Sequence, residues 1–216
     1  MADPRGLIQL TRSGAVFSGS QRDVERLRAR FEQHHCIRLP GLLDPGLLQI
    51  IKRRIEQARF DELGHVGGLE ICMVHDNTAG LLHFLTNNLN LFRMIREITG
   101  CGRIGCFGGR VYRILPGTNH YSCWHSDAKD HILIGLSINV SAEVYSGGSF
   151  QLRRCGAEQI LCQMPNTGSG DSILFRIDKS LEHRMTDVEG TVPKTAFAGW
   201  FQSRPESRFL LGRPNE

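Results

Sequence analysis

The sequence has no C-x-x-C pair among its seven cysteines. That absence argues against a structural zinc site, and the odd count argues against a disulfide framework, so reduced thiols in a cytoplasm are the expectation. No apolar run approaches the length of a membrane span, and the opening Met-Ala-Asp-Pro-Arg lacks the apolar stretch of a secretory signal. No membrane partner is expected. There is no tract of like charge either: 26 Lys+Arg against 22 Asp+Glu leave +4, and the arginines are scattered without interleaved aromatics. Such a charge reads as solvated surface, so nucleic acid is not an expected partner. Internal repeats and low-complexity segments are also missing, which points to a single domain over residues 1–216.

Glycine is what the sequence has in excess: 24 of 216 residues, where a usual share is about 7%. Many glycines with few helical repeats indicate tight turns and a β-rich architecture. Helical signals are confined to residues 1–101. Ser20 and Asp23 form a capping box before Val24, Leu27 and Phe31, and Asp44-Pro45 starts a second helix running to about Phe60. A third helical region covers Ala79 to Thr99, broken around Asn87 to Asn90 and closed by Gly100. Residues 60–77, with Gly64, Gly67 and Gly68, read as a mobile lid. Residues 102–216 alternate in short segments: 109–115, 121–125, 132–141, 149–154, 160–164, 172–177, 182–187 and 194–203. Eight short strands with helices gathered at one end predict an α+β fold, a jelly-roll barrel supported by N-terminal helices.

Single histidines say little, but an ordered set says more. His125-Ser126-Asp127 places two ligand types two residues apart, which in a strand is one face. His183 follows 58 residues later at the start of a strand that can return beside them. Two imidazoles and a carboxylate on one side of a metal suit non-haem Fe(II) and leave open positions. Lys194 lies 11 residues further on, with Ala196 and Ala198 on its face of the strand. A lysine inside a barrel is costly unless an anion pairs with it, and the anion indicated is a carboxylate of a bound cosubstrate.

From Gly109 to Phe201 the sequence resembles the Fe(II)/2-oxoglutarate-dependent oxygenases, particularly their prolyl-hydroxylase-like branch. The resemblance is carried by Pro116-Gly117, His125-Ser126-Asp127, Ser137-Ile138-Asn139-Val140, Tyr145-Ser146-Gly147-Gly148, Gly170-Asp171-Ser172-Ile173-Leu174-Phe175, His183, Lys194 and Gly199-Trp200-Phe201. It implies a double-stranded β-helix in which His125, Asp127 and His183 bind Fe(II). It also implies that Lys194 holds the distal carboxylate of 2-oxoglutarate in place of the arginine of many relatives. Ser137 falls where relatives place a polar side chain against the same carboxylate. O2 is the other implied cosubstrate, with ascorbate as an accessory reductant. Relatives commonly carry a tyrosine just before the Pro-Gly turn; here Leu115 stands there, and Tyr112 and Tyr121 are the candidates to supply a hydroxyl. Retention of Asp127 implies hydroxylation of an unactivated C–H bond, with desaturation or ring formation open from the same chemistry. The substrate is a small molecule or a peptidyl proline, and the compactness of the chain favours the small molecule.

Arg113 carries a separate hypothesis. If Tyr112 and Ile114 face the helices, Arg113 turns inward, where it suits a substrate carboxylate or phosphate; the competing reading is an edge arginine paired with a surface acid. Cys123 reads as a small core thiol, and Gly147-Gly148 as a turn, since no helix follows to make a phosphate loop. Two other functions stay open at this point: a zinc-dependent hydrolase on the same barrel, and a non-catalytic jelly-roll binding module.

Overall fold

The computed structural model describes residues 6–65, 68–117, 123–165 and 168–205. The chain opens with a hairpin, β1 (Ile8–Thr11) and β2 (Gly14–Phe17), followed by α1 (Gln21–His34), β3 (Cys36–Leu39) and α2 (Pro45–Gln57). Then come β4 (Phe60–His65), β5 (Gly68–Met73), α3 (Asn77–Thr86) and α4 (Leu89–Thr99). The second half is β6 (Cys106–Ile114), β7 (Ile132–Asn139), β8 (Ser146–Gly147), β9 (Phe150–Arg154), β10 (Ile160–Met164), β11 (Ser172–Arg176), β12 (Leu181–Met185), β13 (Val188–Glu189) and β14 (Lys194–Gln202).

The helices begin and end where their caps dictate. Ser20 and Asp23 make the reciprocal capping box of α1, and Asp44 accepts from the Gly46 and Leu47 amides with Pro45 in the first turn of α2. The expected break in the third helical region is real: Asn88 caps α4, and Gly100 ends it with φ +67°.

Seven strands form one antiparallel sheet in the order β3-β11-β7-β14-β6-β5-β4, and a smaller sheet, β10-β9-β12, faces it. Alternation divides the large sheet cleanly. Ile134, Leu136, Ile138, Leu174, Phe197 and Phe201 pack with the helices into the main core. The other face meets the small sheet through Ile173 and Phe175 against Phe150, Leu152 and Leu181. The two-sheet barrel on a helical support is therefore as expected, but its recruitment of strands is wider than the second half of the chain. β3 forms one edge, and β4 and β5 form the other. Residues 60–77, read as a lid, are instead this edge hairpin and the approach to α3, with Ile71 and Cys72 paired to Arg113 and Tyr112; Gly67 lies outside the described residues. No helix among the described residues is long and apolar enough to cross a membrane.

A second correction concerns the cysteines. Cys36 and Cys162, 126 positions apart, form a disulfide joining edge strand β3 of the large sheet to edge strand β10 of the small one. The other five are free thiols. Closing so long a loop restricts the unfolded chain, an effect worth about 2–4 kcal/mol for a typical disulfide. A Cys36→Ser protein is therefore expected to melt about 5–15 °C lower than the oxidised parent, a shift read by calorimetry.

Candidate active site

His125 and His183 are brought together by the backbone itself. The His125 amide donates to the His183 carbonyl (3.1 Å) and the His183 amide returns a bond to the His125 carbonyl (2.9 Å). Their rings lie 4.4 Å apart, and the potential ligand atoms of His125, Asp127 and His183 all fall within 4.8 Å of one another. His183 is buried between Phe150 and Phe175, with ring separations of 5.8 and 4.9 Å. Burial holds its pKa below the ordinary 6.5 despite the opposing pull of Asp127, and His125 adds to the lowering. A neutral imidazole is the state that offers a lone pair to a cation. His125 Nδ1 lies 3.2 Å from the Cys123 carbonyl oxygen; with Nδ1–H as donor, Nε2 is left as the ligand atom.

Asp127 is held from the opposite wall. Trp200 Nε1 donates to Asp127 Oδ2 at 2.9 Å, and the same oxygen stands 3.5 Å from His183 Nε2. The sequence contained the signal for this contact, because Trp200 is six residues beyond Lys194 and hence on the same face of β14. A hydrogen-bond donor that fixes a ligating carboxylate is typically worth 10- to 100-fold in metal affinity. Trp200→Phe is accordingly expected to weaken metal binding by about 10-fold or more, measured by competition with a chromophoric chelator.

Lys194 occupies a different part of the same interior face. It is 4% exposed, and its ammonium donates to the Gly148 carbonyl (3.2 Å), approaches Met185 Sδ (3.6 Å) and stands 5.7 Å from the centre of the Tyr145 ring. Burial pushes its pKa down to about 7. The cavity in front of it is lined by Ser137, Asn139, Tyr145, Gly148, Pro165, Ile173 and Ala196, with no carboxylate among them. Gly147, expected in a turn, instead ends strand β8 and pairs with Val188; it and Gly148 have φ +66° and +59°. A Cβ on Gly148 would stand 3.1 Å from the Tyr145 ring and 3.3 Å from Lys194 Cδ, so glycine is needed where the lysine passes.

Strand register decides the remaining residues. Ser137 pairs with Ala198, and Tyr112 with Ala196, which puts both on the interior face. Tyr112 sits in the small apolar cluster with Ile114 and Tyr145. Tyr121 lies outside the described residues. Tyr145, named in the sequence only as part of a glycine motif, is the tyrosine that lines the Lys194 cavity. Arg113 requires a correction. It pairs with Thr195 on the helix-facing side, with Nε 3.3 Å from Thr195 Oγ1 and its guanidinium 4.0 Å from the Phe60 ring centre. The assumed facing of β6 is inverted, since Tyr112 and Ile114 point into the barrel. Cys123 is exposed rather than in the core.

No family model matches the chain, and no curated protein matches it by sequence. Solved structures do match by shape. A Burkholderia pseudomallei oxidoreductase of the 2OG-Fe(II) oxygenase family superposes with a TM-score of 0.64 at 14% identity, over 87% of this chain and 94% of its own. A prolyl-4-hydroxylase of Pseudomonas putida gives 0.61 at 11% identity, over 84% and 100%. The epimerase SnoN, in complex with Fe3+, alpha ketoglutarate and nogalamycin RO, gives 0.62 at 14% identity, over 91% and 93%. The chain thus has the fold of the 2-oxoglutarate- and Fe(II)-dependent oxygenases.

Proposed function

We propose that the chain is a single oxygenase domain that uses Fe(II), 2-oxoglutarate and O2 to hydroxylate an unactivated C–H bond, in the balance R–H + 2-oxoglutarate + O2 → R–OH + succinate + CO2. One observation carries the reading: a buried lysine facing a cavity with no acid among the described residues that line it, on the strand whose Trp200 holds the carboxylate of a two-histidine, one-carboxylate group. The donor set fits iron, being two imidazoles and one carboxylate with neutral His183. A zinc hydrolase would need the same three ligands but gives Lys194 no task.

Iron with its cosubstrates supplies the oxidising chemistry that side chains lack. The residues of the chain do the rest. Lys194 takes the distal carboxylate of 2-oxoglutarate as a charge-assisted pair, steadied by the Gly148 carbonyl and covered by the Tyr145 ring. Ser137, on the strand next to β14, offers a hydroxyl at the cavity wall. His125, Asp127 and His183 hold the cation, and Trp200 fixes the orientation of the Asp127 carboxylate. Phe150 and Phe175 keep water from the buried side of His183.

The substrate favoured is a small molecule, as in the SnoN complex with nogalamycin RO, rather than a peptidyl proline. We place the enzyme in the cytoplasm, where its five free thiols stay reduced and the burial of Cys36 shields the single disulfide. The test is succinate formation from 2-oxoglutarate by purified protein. It is expected to require both Fe(II) and O2; a protein that binds iron and forms no succinate would overturn the reading.

A further inference from the structure

The pairing of β6 with β14 says which side of the site is open and what charge borders it. Lys194, Ala196, Ala198 and Trp200 stand opposite Ile114, Tyr112, Arg110 and Gly108. Directly paired residues project to the same face of a sheet. Arg110 therefore shares the interior face with Lys194 and Trp200. It sits two residues from the Trp200 row, about 7 Å along the strand, and it is exposed.

The two flanks of Trp200 differ. On the β7 side its partner is Gly135, and the space above that glycine is filled by the Phe175 ring, which a Cβ would meet at 2.2 Å. The same ring packs 4.9 Å from His183 and covers that side of it. On the β6 side its partner is Gly108, where a Cβ would meet, among the described residues, only the tip of Gln202, at 3.5 Å. Beside it Ala198 adds one methyl group, and Arg110 follows. The approach to the metal ligands thus runs over Gly108 and Ala198, with a guanidinium at its border.

We propose that Arg110 is a specificity-determining residue that pairs with an oxyanion of the substrate, a carboxylate or a phosphate, while the carbon to be oxidised lies over the metal ligands. This rests on the oxygenase reading above. A planar five-donor fork matches either anion bidentately, and the anion gives the substrate a fixed orientation at one end. Arg113, on the opposite face of the same strand, serves as the internal control.

The experiment measures stimulation of succinate formation by a panel of free amino and hydroxy acids, their methyl esters, and phosphate monoesters with their parent alcohols. Wild type, Arg110→Ala, Arg110→Lys and Arg113→Ala are compared. Acids or phosphate monoesters are expected to stimulate at least 10-fold over the substrate-free rate, while their esters or alcohols do not. The class that stimulates identifies the anion. Arg110→Ala is expected to raise KM for the stimulating compound at least 30-fold with a smaller change in kcat; Arg110→Lys recovers part of the loss, and Arg113→Ala leaves KM unchanged. Equal stimulation by neutral and anionic members, an unchanged KM in Arg110→Ala, or no stimulation by any anion while substrate-free succinate formation proceeds would each overturn the assignment. Absence of all succinate formation in the wild type would instead strike the oxygenase reading, and this assignment falls with it.

Discussion

Asp127→Ala protein is expected to lose at least about 1,000-fold in iron-dependent succinate formation, more than the 10- to 100-fold that follows loss of a group supporting a ligand. The substitution removes the carboxylate of the three-residue group proposed to hold the metal and leaves two imidazoles to hold a dication. It is also the cleanest of the three to make. His183 is packed between Phe150 and Phe175, so its truncation would open a cavity in the barrel and confuse metal loss with unfolding. Asp127 is half-buried in the loop between the His125 bridge and β7, and water can take over the Trp200 N–H that it releases. The expected pattern is a thermal midpoint within a few degrees of wild type together with loss of both metal affinity and turnover. Calorimetry and metal titration on one preparation check it. A collapse in stability would mean that Asp127 is a structural acid.

The second large effect belongs to Lys194→Met, and its two consequences have opposite signs. Below pH 7 the ligand-free wild type must carry a charge inside the barrel. Its folded pKa of about 7 lies below the ordinary 10.5, so between these values the unfolded chain binds more protons than the folded one. The contribution of this group to stability therefore rises with pH across that window and is worst below pH 7. Methionine removes the penalty, and the ligand-free variant is expected to melt at least about 5 °C higher at pH 6. Its affinity for 2-oxoglutarate moves the other way. Losing one partner of a buried charge pair costs about 2–5 kcal/mol, so a Kd roughly 100-fold weaker is expected. In the wild type, binding the dianion takes up a proton, and the Kd should weaken by up to tenfold per pH unit above pH 7. Tyr145, the titratable side chain facing Lys194 from the covering loop, has its hydroxyl pushed above the ordinary 10 by burial and by neighbouring Tyr112, so it stays neutral throughout. Calorimetric titration at pH 6, 7 and 8 in two buffers of different ionisation enthalpy resolves both the affinity and the proton.

The sequence made these residues legible to different degrees, for physical reasons. His125 and Asp127 are linked by their close spacing, yet the segment is not the strand that the spacing suggests: of the two, only His125 makes a β-bridge, and Asp127 lies in the loop that follows. Lys194 stands out because its face carries only small residues up to Ala198. His183 needed the barrel to close, since its partner is reached through a backbone bridge to His125. Arg113 went to the wrong face because β6 is apolar on both: Val111 and Ile114 are each buried, one against the helices and one in the barrel. Only the pairing with β14 settles which is which, and it brings Arg110 to the site instead. The Cys36–Cys162 bond was hidden because its partners lie on the edges of different sheets. The glycines of residues 60–77 mimic a loop, but two strands of six residues extend the large sheet there.

One interior face of the barrel is proposed to hold both a metal and a dicarboxylate. Anaerobic titration of Fe(II)-loaded protein with 2-oxoglutarate, followed by visible absorption, tests it most directly. A weak charge-transfer band is expected that saturates at one equivalent, needs higher concentrations in Lys194→Met and is absent in Asp127→Ala. Iron bound without any such band in the wild type would contradict it.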